Sequence, residues 1–250
     1  MRLKDKVAIV TGGGRDIGRE VSRVLAREGA KVVINFANDE ASAAETLDSI
    51  TSAGGEAIVC RADVTTAEGV ATLIAAARDA YGAEVHILVN LAGGMVERRP
   101  LADIDEAFFD TVMTLNLKSA YLMTRAVAPL MTEGAAIINF SSQAGRDGGG
   151  PGAAIYATSK GALMTFTRSM AKELGPRGVR VNSLCPGMIA TSFHDTFTKP
   201  EVRTAVAAGT PLRRQGRPEE VAETVLFLAS DAAAFVTGAN LDINGGLYFS

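Results

Sequence analysis

The chain has 250 residues, 47% of them hydrophobic, and 26 glycines, which suits one α/β domain with a sizeable core and many tight turns. A net charge of -3 and a pI near 5.5 argue against a nucleic-acid partner, which needs a basic stripe. No apolar run reaches the length of a membrane span, and Arg2-Leu3-Lys4-Asp5-Lys6 is too charged for a signal peptide, so a soluble, cytoplasmic protein with no membrane partner is expected.

Taken in chain order, short β-branched runs alternate with longer stretches of helical spacing. Residues 7–10 read as a first strand, 17–28 as a helix, 32–34 as a strand, 40–53 as a helix and 57–59 as a third strand. A helix over 67–81, a strand over 87–89, a long helix over 107–131 and a strand over 137–140 follow. The series closes with a helix over 156–174 and strands over 179–181 and 241–243. The strands are apolar on both faces, as in a parallel sheet covered by helices on two sides. This alternation predicts a Rossmann-type, doubly wound sheet of about seven strands in a single domain spanning 1–250. Two segments break the rhythm: a glycine-rich loop over 145–152, read as flexible, and a long connection over 192–218, read as a substrate lid. Cys60 and Cys185, 125 positions apart, read as core thiols with neither disulfide nor metal-ligand spacing. No metal site is expected.

The first strand runs into Thr11-Gly12-Gly13-Gly14-Arg15-Asp16-Ile17-Gly18. Glycines there let the backbone turn tightly and approach a pyrophosphate held over the next helix's amino end. Asp16 stands within this loop, and the expectation is a helical backbone with the carboxylate turned away from the ligand. An acid at the end of the second strand is the usual partner of a ribose 2′-hydroxyl. Here that place falls at or near Phe36, after Asn35, and no acid is present. With Arg15 in the loop as a phosphate-matching guanidinium, the reading favours NADP(H) over NAD(H). Asp39 is assigned to starting the next helix.

Tyr156 and Lys160 are four residues apart and share one helix face. A neighbouring ammonium is expected to bring the phenol towards a working pKa. Ser142, or its neighbour Ser141, ends the fifth strand 14 positions before Tyr156 in the case of Ser142, where a hydroxyl can hold a substrate oxygen. Asn116 is a polar amide inside an apolar helix, read as the anchor of a proton-relay water.

These residues, in this order and on these strand ends, resemble the short-chain dehydrogenase/reductase family over essentially the whole chain. The glycine loop is similar to T-G-x-x-x-G-x-G, with Thr11, Gly12 and Gly18 matching and Asp16 in place of the middle glycine. The resemblance implies the catalytic set Asn116, Ser142, Tyr156 and Lys160. It also implies dinucleotide contacts from Thr11, Gly12, Gly14, Arg15, Ile17, Gly18, Asn35 and Phe36 at one end. At the other it implies Asp63, Val64, Asn90, Ala92, Gly93, Tyr156, Lys160, Pro186, Gly187, Ile189 and Thr191. Asn90-Leu91-Ala92-Gly93 resembles N-N-A-G with Leu91 replacing the second asparagine, and the serine-to-tyrosine spacing is about one residue longer than in many members.

The implied reaction is hydride transfer between a nicotinamide and a ketone or secondary alcohol, and the overall look is nearest to 3-oxoacyl-(acyl carrier protein) reductases. Sugar, polyol and other small-ketone dehydrogenases share the pattern, and a non-catalytic dinucleotide-binding regulator is the rival of another class. Family habit and the apolar excess on the two long helices imply a homotetramer. Docking of an acyl carrier protein has weak support, since residues 128–133 carry no base while Arg168, Lys172 and Arg177 remain.

Overall fold

The computed structural model describes all 250 residues. Its strands are β1 (Val7–Thr11), β2 (Lys31–Phe36), β3 (Glu56–Arg61), β4 (Ile87–Asn90), β5 (Ala136–Phe140), β6 (Arg180–Pro186) and β7 (Asn240–Ile243). The helices are α1 (Asp16–Arg27), α2 (Glu40–Thr51), α3 (Ala67–Tyr81), α4 (Glu106–Met113), α5 (Ser119–Val127), α6 (Ala144–Asp147), α7 (Ala154–Leu174), α8 (Ser192–Phe197), α9 (Pro200–Gly209) and α10 (Pro218–Ala229). All seven strands form one parallel sheet in the order β3-β2-β1-β4-β5-β6-β7. The chain steps outward from β1 to β3, then returns to place β4 on the other side of β1. Loops leaving β1 and β4 therefore part in opposite directions and open a crevice at their carboxyl ends.

Period-two alternation sorts the strand side chains into two cores. Ala8 and Val10 of β1 pack with Val21 and Leu25 of α1 and with Val221 and Val225 of α10. Ile9, between them, packs on the opposite face with Leu73 of α3, Met123 of α5 and Leu174 of α7. Burying each large aliphatic side chain contributes about 1.5–3 kcal/mol, so both layers hold the sheet rigidly beneath the crevice. Cys60 and Cys185 are buried, unpaired thiols. No helix is long and apolar enough to cross a membrane.

Four expectations change. The helix expected over 107–131 is not uniform: α4 and α5 are joined by a wider turn, Thr114–Lys118, wound around Asn116. The loop expected over 145–152 begins as α6, and only its later part turns on left-handed glycines at 148, 149 and 152. The connection over 192–218 folds into α8 and α9. Finally, β3 is not buried on both faces, because it is an edge strand and only β2 pairs with it.

Candidate active site

The glycine loop is shaped by close approach. Gly12 has a φ of 65°, and a side chain at Gly18 would place its Cβ 2.1 Å from the Gly12 carbonyl oxygen. The turn is thus tight enough to bring α1 directly against β1. No side chain caps the amino end of α1, which leaves its first amides and the helix dipole facing the crevice, as an anion requires. Gly14 faces the other way, where a Cβ would meet Ala43 of α2 at only 3.1 Å. Thr11 ties the loop to its neighbour: its hydroxyl donates to Val89 O and accepts from the amides of Leu91 and Ala92. Leu91, the departure from N-N-A-G, packs its side chain beside Gly12 and into the core layer of α1.

At the outer end of the crevice, Asn35 is buried and braces rather than protrudes. Its Nδ2 donates to the carbonyls of Cys60 and Ala62, and its Oδ1 accepts from the Gly12 amide at 3.4 Å. Phe36 is also buried. Its register partner on β3 is Arg61, whose Nε donates to Ala37 O at 3.2 Å. A guanidinium therefore lies beside the end of β2, where the sequence offers no acid. Sequence reading missed Arg61 because strand register is set by the folded sheet. Arg15 is exposed nearby, and the Asp39 carboxylate accepts from Ser42 at the start of α2. Asp63 is exposed with one oxygen holding the Thr65 amide and hydroxyl, and Val64 is buried behind it.

Tyr156 lies in the first turn of α7, and Lys160 follows one turn later with its Nζ 5.7 Å from the Tyr156 ring centroid. Lys160 is buried and donates to Phe140 O at 2.8 Å. Burial brings its pKa down to about 8. The phenol sits above its ordinary range because it is desolvated, and hydrogen bonding with the Ser142 hydroxyl opposes this only in part. That differs from the lowering expected of Lys160, whose ammonium is committed to a carbonyl. The two serines separate cleanly: Ser141 is buried and donates to Lys160 O, whereas Ser142 is the hydroxyl on the phenol's side.

Asn116 sits at the centre of the wide turn with its amide engaged. Nδ2 donates to Gly94 O and Val112 O, and Oδ1 accepts from the Gly94 amide. Both of its hydrogens are used, so the side chain fixes the 93–94 loop instead of presenting a free donor to a relay water. A Cβ on Gly93 would lie 2.7 Å from Asn116 Oδ1 and 3.0 Å from Lys160 Nζ. Only glycine lets the backbone run over both groups. Asn90 is buried, bonded to Asn139 and Thr124, with its Oδ1 lacking a donor.

The far wall comes from the loop after β6. Gly187 donates to Ile243 O, Pro186 O accepts from Gln143, Ile189 is buried against Gly216, and the Thr191 hydroxyl donates to Ile189 O. Helix α8 then brings Phe193 to 6.0 Å from the Tyr156 ring, with His194 edge-on and Phe197 tilted against Phe193. Arg98, another residue that sequence reading missed, donates to Phe197 O and Pro151 O and ties α8 to two further loops.

Asp16 departs from expectation. Its φ is 49°, not helical, and its carboxylate is bonded across the crevice to Ser192. No cluster of three histidines, cysteines or acids offers a metal site. A narrow turn, an uncapped helix end and a glycine roof over Lys160 together fit an elongated dinucleotide with a central diphosphate.

Comparison with known proteins agrees with this geometry. A family model described as enoyl-(acyl carrier protein) reductase matches residues 12–248. The chain is similar to a 3-oxoacyl-[acyl-carrier-protein] reductase of Synechocystis, 39% identical and covering 98% of each chain. It is also similar to the 7alpha-hydroxysteroid dehydrogenase of Escherichia coli K12, 36% identical over 98% of this chain and 95% of that one. Among solved structures, a short-chain dehydrogenase/reductase from Serratia marcescens superposes with a TM-score of 0.93 at 32% identity, covering 99% of both chains.

Proposed function

The chain belongs to the short-chain dehydrogenase/reductase family of NAD(P)-dependent oxidoreductases, and we propose that it reduces compact, apolar ketones with NADPH, reversibly. The observation that carries this reading is the arrangement of Tyr156, Ser142 and Lys160 under the aromatic wall of α8. The nicotinamide supplies or accepts the hydride. The chain's residues do the rest: Ser142 donates a hydrogen bond to the carbonyl oxygen, and Tyr156 delivers a proton to it as negative charge develops. Tyr156 thus gives its proton in the reducing direction and takes one back in the oxidising direction. Lys160 holds the nicotinamide ribose, Asn116 keeps the 93–94 loop over that ammonium, and the glycine loop with Ile17, Ala92, Ile189 and Thr191 receives the rest of the dinucleotide.

Phe193 and Phe197 favour an apolar ring or short chain over a polyol, whose hydroxyls would lose water there without gaining partners. Carrier docking has less support than the sequence offered, because Arg177 is occupied in donating to Ala128 O and Met131 O. Exposed Phe109 and Tyr121 on the α4–α5 side, and Leu212, Phe235 and Phe249 elsewhere, support assembly into a homotetramer. The test compares kcat/KM for cyclic ketones, sugars, and one 3-oxoacyl group carried on pantetheine or on the carrier. Compact ketones should lead, with less than about 10-fold gained on the carrier. A gain of ~100-fold that collapses with salt would contradict this reading.

A further inference from the structure

Asp16 occupies a left-handed backbone conformation, φ 49°, that glycine adopts freely and an aspartate side chain only with support. The support comes from far away in sequence. Its Oδ1 accepts from the Ser192 amide at 3.0 Å and its Oδ2 from the Ser192 hydroxyl at 2.5 Å, across 176 positions. Asp16 follows β1 and Ser192 follows β6, with β4 and β5 lying between those strands in the sheet. At about 4.8 Å per strand, the two loops reach towards each other over roughly 14 Å of sheet edge. Their meeting point lies between the end marked by Phe36 and Arg61 and the end marked by Tyr156 and Lys160. Ser192 is also the first residue of α8, Phe193 beside it covers Tyr156, and Arg98 holds the helix's other end.

We propose that the Asp16–Ser192 bridge is a strap across the dinucleotide crevice, with Asp16 as the positioning residue that makes cofactor exchange and lid opening one event. A dinucleotide reaching from one end of the crevice to the other passes beneath the bridge, so the bridge opens for it to enter or leave. The same opening frees the amino end of α8 and withdraws Phe193 from Tyr156. The strap rests on the family's dinucleotide chemistry and not on which ketone is reduced.

Two measurements test it without substrate: hydrogen exchange of the amides over 192–209 in the ligand-free protein, and the dissociation rate of NADPH followed by its fluorescence on displacement. Asp16→Gly suits the backbone and removes only the carboxylate. It should raise both rates about 10-fold or more, the scale of one charge-assisted hydrogen bond. Ser192→Ala, which keeps the amide, should give a smaller rise in both. Asp16→Asn, which tolerates this backbone and keeps a carbonyl acceptor, should fall between the parent and Asp16→Gly. The double variant Asp16→Gly/Ser192→Ala should match Asp16→Gly alone, because both changes break one bridge. Unchanged rates in Asp16→Gly would overturn the strap. Faster lid exchange with unchanged NADPH dissociation would overturn it too, leaving Asp16 as a plain cap of α8.

Discussion

Phe36 and Arg61 are register partners across β2 and β3, and on the proposed reading they set the charge that a ribose 2′-substituent meets. An acid at 36 would accept a hydroxyl and repel a phosphate, whereas Arg61 and the exposed Arg15 attract the phosphate. NADPH should therefore exceed NADH in kcat/KM. Arg15→Ala and Arg61→Ala should each narrow the gap by about 5- to 10-fold, the value of one guanidinium–phosphate contact. Phe36→Asp should move the preference towards NADH. Steady-state kinetics with both dinucleotides checks this, and equal use of the two by the unaltered protein would contradict it.

At the scale of elements, α8 carries its own pH sensitivity. His194 lies against Phe193 and Thr198, and its pKa is held down to about 4, first by burial and then by Arg203 and Arg98, with Asp195 opposing. In the proposed open state, with α8 lifted away from its neighbours, the imidazole returns to an ordinary value near ~6.5. Between those values the open lid binds a proton that the closed lid refuses. Closure is thus fully favoured above about 6.5 and weakens as pH falls towards 4. The ketone KM should rise through that window in the parent and much less in His194→Gln, and a flat parent profile would exclude the effect.

The strands and the main helices were readable in the sequence because the inner strands are continuous apolar runs buried on both faces and each main helix carries one apolar stripe. The wide turn at Thr114–Lys118, the folding of 192–209 into helices and the backbone of Asp16 were not. Asn116 reshapes its helix by bonding to Gly94, 22 positions away, and Asp16 is held by a residue 176 positions away. Neither partner lies within a local pattern. For the same reason the glycine-loop residues were visible as a set, while Asn35 and Gly14 could not be seen to face inward.

For the whole molecule, sheet order converts scattered positions into one site. Residues 11–18, 90–94, 140–142 and 186–192 are far apart in the chain but leave the carboxyl ends of β1, β4, β5 and β6 side by side. Helix α7 then lays Tyr156 and Lys160 across those ends with the rigidity of a 21-residue helix. On the proposed reading, reduction at that edge depends most on Tyr156 as the proton donor. The direct measurement is Tyr156→Phe, with NADPH affinity read by fluorescence titration alongside turnover of the best ketone. Binding should stay within about 3-fold of the parent while kcat falls ~10²-fold or more, the scale of a positioned acid. Near-normal turnover with intact binding would contradict Tyr156 as the donor.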